Sequence, residues 1–415
     1  MIKAEIVSVG TEHLLGQIVD TNAQYLCTLL ATLGIAVYYR STVGDNVGRV
    51  QEVFANALGR VDLMVSTGGL GPTDDDLTVA AVAELLGLPM ERHEEAWTHV
   101  QEFFRRRNRP LSSQQVKQAM LPRGAHMVPN TRGSAPGVIV EHEGKTIVFV
   151  PGVPREMKGM MEDHVVPYLR ARGLVGDEVI RSRVVRIIGL GESAVEDRLR
   201  DLMRASTNPT IAPYAHTGEC HVRITARGTD AAVEPLLDQT EAALRERLGD
   251  AIYVVGDATI DEVVARLLAQ RGVTVAVAES CTAGLIAHRL ARTPGASAYL
   301  DGGVIAYSNA AKHRWLYVPE SLVERHGAVS AEVARAMAEG VRSQAATDLA
   351  IATTGIAGPT GGTEAKPVGL VFLALAHAEG TEVREVRFGT EPGRAGIQYL
   401  ASQTALDMIR LQLLR

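Results

Sequence analysis

The 415 residues predict an α/β chain of three domains, on three observations. Apolar, β-branched runs alternate with helix-period segments through residues 1–176, the pattern of a doubly wound sheet. Residues 177–256 run in the order β-α-β-β-α-β, a small split unit. In residues 257–415 the apolar run beginning at Val273 gives way to helical spacing at Leu285, Ile286, Leu290 and Ala291, so a buried parallel strand feeds a helix at once.

In the first domain the expected strands are Ala4–Val9, Ile35–Arg40, Val61–Ser66, Gly137–Glu141 and Lys145–Val150. The expected helices are Asn22–Leu33, Gln51–Leu58, Val79–Leu86, Glu94–Arg107 and Gln114–Met120. The loop Thr67–Thr78 carries the most chemistry. Gly68, Gly69 and Gly71 let backbone N–H groups approach a phosphate, and Thr67 and Thr73 add hydroxyls. Pro72 breaks the dinucleotide fingerprint. Asp74, Asp75 and Asp76 are adjacent. Acids at a helix N-terminus are the plain reading, but three neighbours repel unless a cation or donors compensate. A divalent-metal or ligand role is therefore open, with Asp74 and Asp75 the candidate ligands. The turn Pro151–Met157, where Glu156 opens a helix, predicts a second site loop facing the first.

The middle unit predicts strands Val179–Ile188, Thr210–Tyr214, Cys220–Ala226 and Ile252–Val255, with helices Ser193–Met203 and Ala231–Leu248. Between Glu178 and Val255 twelve acids face ten arginines and no lysine, which makes no nucleic-acid footprint. A spacer or dimerisation module is expected.

The third domain opens on the capping box Thr259–Glu262. Ser280 falls where a strand meets a helix, the usual edge for a site in this architecture. The first-turn N–H groups of that helix are expected to hold an oxyanion. The plain alternative is that Ser280 or Thr282 is only an N-cap. A serine nucleophile needs a base, and Lys312 and Tyr307 are the available acceptors; desolvation would suit Lys312 to the task. The loop Gly355–Gly362 offers N–H groups for a phosphate, and Arg394 a cationic fork. Cys281 is a rival nucleophile, or a small buried residue.

A net charge of −6 gives no general attraction to nucleic acid or anionic membranes, and 4% aromatics leave few stacking platforms. Three cysteines without metal spacing fit a reducing cytoplasm. No signal-peptide core or bilayer-length run is seen, so a cytoplasmic protein without membrane partners is expected. An elongated three-domain chain with a compact middle suggests a homodimer.

With these residues in view, the chain resembles the CinA family of competence- and damage-inducible proteins. The resemblance rests on Gly10-Thr-Glu, Asp20-Thr-Asn22, Gly68–Thr78, Pro151–Met157, Ala278–Gly284, Tyr307–Lys312, His326–Ser330 and Gly355–Pro359. It implies a molybdopterin-binding-type first domain that hydrolyses the pyrophosphate of ADP-ribose with a divalent metal such as Mg2+, with K+ as a second candidate. It implies a KH-type middle module, although no Gly-x-x-Gly clamp is present and RNA binding does not carry over. It implies a third domain that converts nicotinamide mononucleotide to nicotinate mononucleotide and ammonia, with Ser280, Lys312 and Tyr307 catalytic and no cofactor. The implied binding residues are Thr282, Gly284, Gly355, Ala357, Gly358 and Arg394 there. In the first domain they are Thr11, Glu12, Asn22, Asp45, Gly68, Gly69, Gly71, Thr73, Ser134, Gly152, Pro154 and Glu156. One departure stands out: many relatives carry an acid before Arg394 and a second arginine after it, where this chain has Pro392-Gly-Arg394 and then Ile397-Gln398. A non-catalytic pterin-binding module and a competence scaffold are the alternatives.

Overall fold

The structure is a computed structural model describing residues 2–415; Met1, at the head of the expected opening segment, lies outside them. In the first domain the strands are β1 (Lys3–Val9), β2 (Ala36–Val43), β3 (Leu63–Thr67), β4 (Met90–Arg92), β5 (Met120–Pro122), β6 (His126–Val128), β7 (Gly137–His142) and β8 (Lys145–Val150). Six form one sheet in the order β2-β1-β3-β8-β7-β6, while β4 and β5 make a separate ribbon. The pairs β1–β2, β1–β3 and β3–β8 are parallel; β7 and β6 add an antiparallel edge. Period-two alternation serves two cores. Ala4, Ile6, Leu63, Val65, Val148 and Val150 pack into one, and Val7, Val9, Met64, Ile147 and Phe149 into the other. The parallel strands β1, β3 and β8 therefore end side by side, and the loops after them share one edge of the sheet.

The middle strands are β9 (Glu178–Ile187), β10 (Thr210–His216), β11 (Glu219–Thr229) and β12 (Ile252–Val255), in the order β10-β11-β9-β12. Helices Glu192–Ala205 and Asp230–Leu248 complete the module. By compactness the chain divides into two units. One runs through Arg181 and takes in Ala226–Leu236; the other comprises Ser182–Thr225 and Leu237–Arg415.

The third domain holds β13 (Val275–Glu279), β14 (Leu300–Ile305), β15 (Leu349–Gly355), β16 (Leu370–His377) and β17 (Gly380–Arg387), in the order β14-β13-β15-β16-β17. β13 lies parallel to β14 and β15, and the last two strands are antiparallel. The two faces differ in bulk. Val275, Val277, Ile351, Val371, Leu373 and Leu375 face helices Ile260–Arg271 and Gly393–Leu414. Ala276, Ala278, Ala350, Ala352, Ala374 and Ala376 let helix Ala331–Ala345 sit close on the other face.

Three expectations need correction. The helix after Ser280 does not begin at once: it starts at Leu285, because Ala283 and Gly284 take left-handed φ values of 54° and 100°, which a right-handed helix excludes. The segment expected as helix Gln114–Met120 is a 3-10 turn, Ser113–Ala119, with a capping box between Ser112 and Gln115. The closing helix begins at Gly393 rather than Ile397. Among the described residues, no helix is long and apolar enough to cross a membrane.

Candidate functional site

Ser280 follows β13 directly and is 8% exposed, its amide bonded to the Thr353 carbonyl of β15 at 3.0 Å. The turn that follows is organised by the residue before it. Glu279 is fully buried, and its carboxylate accepts from the amides of Gly284 (2.9 Å), Ile286 (3.1 Å) and Ala287 (2.8 Å). Those are the amides expected to hold an oxyanion, so that expectation is corrected: an internal anion already takes them. In this turn the amides of Cys281 and Thr282 are the ones without a carbonyl or carboxylate partner among the described residues. An acid ending an otherwise apolar strand was the available sign of Glu279, because a buried carboxylate must be paired or hydrogen-bonded.

Lys312 reaches the same point from helix Asn309–Leu316, whose N-cap is Ser308. Its side chain is almost fully buried, 1% exposed, and Nζ donates to Ser280 Oγ at 3.0 Å and to the carbonyls of Ala306 (2.9 Å) and Tyr307 (3.4 Å). No carboxylate pairs with it among the described residues. Desolvation pushes its pKa below the ordinary lysine value, and the Cys281 thiol acts weakly the other way. Cys281 itself is buried, and its pKa is pushed up to about 12, chiefly by burial. It stays a neutral thiol, which fits packing rather than attack.

Tyr307 is brought near this pair by its backbone only. Its side chain is largely exposed, and its hydroxyl accepts from Arg394 Nη2 at 2.5 Å. Arg394 Nη1 donates to the Gly358 carbonyl at 3.0 Å. Tyr307 and Arg394 thus form one arm over the loop, and the phenol makes no bond to Ser280 or Lys312. Thr282 is buried and shares a 2.7 Å bond with Thr353. Ala357 and Gly358 are buried. Glycine at 355 and 358 answers to packing: a Cβ would meet Val371 and Leu370 at position 355, and Val368 at 358. Gln398, where the resemblance leads one to expect a second arginine, donates to the Cys281 carbonyl at 2.8 Å. It fixes the turn from behind.

In the first domain a cleft of about 630 Å³ opens at the edge where β1, β3 and β8 end. Glu12, Asn22, Asp45, Gly68, Gly69, Gly71, Asp75, Ser134, Gly152, Pro154 and Glu156 line it, together with Asp20, Asp76 and Gln118. Its floor is cross-tied. Asn22 Nδ2 donates to Thr67 Oγ1 (3.0 Å) and the Gly152 carbonyl (2.7 Å), and the Thr67 hydroxyl donates to the Pro151 carbonyl (3.0 Å). Gly68 has a φ of 105°, and a Cβ there would stand 2.1 Å from the Val9 carbonyl oxygen, so the loop requires glycine. Glu156 accepts from Asn130 at 2.7 Å, and Ser134 from Gln118 at 3.3 Å.

Three expected residues stand apart from the cleft lining. Thr11 turns to Asp45, through its amide (2.9 Å) and hydroxyl (2.7 Å). Thr73 is held by Asp76 in the same way, at 2.9 and 2.6 Å. Asp74 is exposed and outside the lining, so of the two expected metal ligands only Asp75 faces the cleft. No cluster of three or more His, Cys, Asp or Glu side chains forms a metal cage among the described residues. The acids Glu12, Asp20, Asp45, Asp75, Asp76 and Glu156 line the cleft, and no lysine or arginine does among the described residues. The buried Asn22 Oδ1 lacks any partner among the described residues. Such hard-oxygen donors fit a cation of the Mg2+ type, which is held by one or two carboxylates and completed by water and substrate phosphates.

Comparison with known proteins gives three consecutive matches: the "Probable molybdopterin binding domain" over residues 5–171, the "Damage-inducible protein CinA KH domain" over 182–254, and the "CinA C-terminal domain" over 257–413. A CinA-like protein of Dictyoglomus thermophilum is 44% identical over 414 residues, covering 100% of both chains. One of Gloeobacter violaceus is 47% identical over 413 residues, covering 99% of this chain and 96% of its own. Among solved structures, the competence/damage inducible protein of Agrobacterium tumefaciens is 39% identical, covers 38% of this chain and 98% of its own, with a TM-score of 0.36. With three family matches end to end and relatives of this identity along its whole length, the chain belongs to the CinA family.

Proposed function

We propose that the third domain is a nicotinamide mononucleotide deamidase that works through a Ser280–Lys312 pair. One observation carries this reading: Lys312 is buried, has no carboxylate partner among the described residues, and its Nζ lies 3.0 Å from Ser280 Oγ. A lysine so placed favours its neutral form, which can accept the serine proton. Ser280 Oγ then attacks the carboxamide carbon while its proton passes to Lys312 Nζ. The carbonyl oxygen gathers negative charge, and the Cys281 and Thr282 amides are the donors within the turn that can meet it. Lys312 returns the proton to the departing nitrogen, ammonia leaves, and an ester to Ser280 remains. Lys312 next takes a proton from water, whose oxygen attacks the ester carbon; nicotinate mononucleotide is released and Ser280 regains its proton. Arg394, steadied by Tyr307 and Gly358, serves the ribose phosphate.

The first domain is proposed as a metal-dependent ADP-ribose pyrophosphatase. Its acid-lined cleft, without lysine or arginine, would repel a pyrophosphate unless a cation intervened. Asp75 and Asp76, with Asn22 Oδ1, are the residues to hold that cation. A bound divalent ion would supply charge neutralisation at the pyrophosphate and an activated water. The glycine loop Gly68–Gly71 brings backbone close to the phosphates.

The deciding experiment is Ser280→Ala in the full chain. Ammonia release from nicotinamide mononucleotide should vanish while ADP-ribose hydrolysis continues. Persistent amidase activity would remove Ser280 from its role.

A further inference from the structure

The hairpin between β10 and β11 ends against the closing helix of the third domain. Gly218, at its tip, takes a φ of 76°, and a Cβ there would stand 3.0 Å from Leu400 and 3.2 Å from Gln403. Glu219 follows, with a side chain only 11% exposed. Its Oε2 accepts from the Tyr253 hydroxyl of β12 at 2.5 Å and pairs with His221 Nε2 at 3.0 Å, and its Oε1 accepts from Gln403 Nε2 at 3.0 Å. Gln403 is buried and passes the bond on, its Oε1 accepting from Arg289 Nη2. Chemistry allows no other orientation of this amide, because a carboxylate only accepts and a guanidinium only donates. Arg289 lies in the helix Leu285–Ala291 that follows the Ser280 turn. Packing runs the same way. Ile188 and Tyr253 of the middle module belong to the third domain's apolar core, and the buried Arg410 of the closing helix donates to the Asp250 carbonyl at 2.6 Å.

We propose that Glu219 is a positioning residue for the Ser280 site, and that the middle module braces the third domain through it. The carboxylate fixes Gln403, Gln403 holds Arg289, and Arg289 sets the helix whose first turn is tied to Glu279 beside Ser280. The brace supplies no atom to a reaction. It steadies the turn that sets Ser280 against Lys312, a contact that a shift of about 1 Å would spoil. The kinetic part of the inference rests on reading the third domain as an amidase; the brace itself does not. Glu219→Leu removes the acceptor of three donors at once. Glu219→Gln keeps an oxygen for Gln403, and the Tyr253 hydroxyl and the His221 ring can each turn to accept from its NH2.

The test follows two readouts in the full chain: steady-state ammonia release from nicotinamide mononucleotide, and amide hydrogen exchange across the third domain. In Glu219→Leu kcat should fall about tenfold with KM near wild type, since Arg394 keeps its own bonds to Tyr307 and Gly358. Peptides covering residues 280–291 should exchange at least about tenfold faster, while those of β15 and β16 keep wild-type protection. Glu219→Gln should restore both readouts. Gln403→Leu should match Glu219→Leu, and the double variant should add little, because the two residues act in one chain of bonds. Tyr253→Phe, which removes a single hydroxyl, should give the same pattern at smaller size, and it serves if Glu219→Leu does not fold. Unchanged exchange over residues 280–291, exchange that rises evenly through the third domain, or additive effects of the two leucine substitutions would overturn the brace. The amidase reading is judged separately. Wild type without ammonia release, but with the expected exchange pattern, would sink that reading and keep the brace. Ammonia release at the wild-type kcat in Glu219→Leu, with unchanged exchange, would do the reverse.

Discussion

Lys312 Nζ and Ser280 Oγ meet at 3.0 Å where β13 and β14 end, with no acid paired to the lysine among the described residues. A charged lysine gains little there, so the pair is poised for proton transfer. Replacing Lys312 by Met should lower amidase turnover by about 10²–10⁴-fold, with substrate affinity largely kept. Steady-state ammonia release reads both quantities.

The same burial fixes a pH dependence. Lys312 titrates below its ordinary value of 10.5, so the active neutral form grows as pH rises. The amidase rate should climb along an acid limb whose midpoint lies below 10.5. Between the depressed folded pKa and 10.5 the unfolded chain holds the proton more tightly, so stability also rises with pH there and is lost as pH falls through the folded value. Denaturation of wild type against Lys312→Met across pH should show that slope in the wild type alone.

Glu279→Gln should be costly although it touches no substrate. The substitution places an NH2 group against three amides that now share a carboxylate. About 2–4 kcal/mol of stability should go, read as a shift in the urea transition assigned to the third domain.

Arg394→Ala should raise KM for nicotinamide mononucleotide about tenfold or more while leaving kcat nearer to wild type, as expected of a phosphate contact. Tyr307→Phe should move KM in the same direction by less. A large kcat loss in Tyr307→Phe with unchanged KM would return the phenol to proton transfer.

In the first domain Asp75→Asn should depress metal-dependent ADP-ribose hydrolysis by at least about tenfold, whereas Asp74→Asn should stay within about twofold of wild type. A magnesium titration of each variant separates weaker cation binding from slower chemistry. Chelation with EDTA should stop hydrolysis in all of them.

Much of this was legible in the sequence. Apolar, β-branched runs marked β1, β3 and β13, and glycine-rich stretches at strand ends marked the loops that line the first cleft. Ser280 and Lys312 were readable as residue types suited to one reaction. The contact between them was not, because it depends on the registry of β13 against β14 and on the helix Ser308 starts. Partners were the hardest part to read. Nothing in the spacing of Tyr307 and Arg394, 87 residues apart, announces their bond. The run of three aspartates read as one unit, yet the fold divides it: Asp74 goes to solvent, while Asp75 and Asp76 line the cleft and Asp76 also holds Thr73.

Gln398 closes on the Cys281 carbonyl from 117 residues further along the chain, and its helix also supplies Ser402 and Gln403 to the buried Arg289, next to Asp261. Arg289 belongs to the helix that leaves the Ser280 turn, and Asp261 to the helix that opens the domain. Beginning, middle and end of the domain are thus pinned by one set of bonds. During synthesis this domain cannot mature in stages. Until its last helix has emerged, a guanidinium destined for the interior lacks two of its three acceptor side chains, and the serine turn lacks its backing. A chain interrupted before Gly393 should be a target for chaperones and proteases rather than a weakened enzyme.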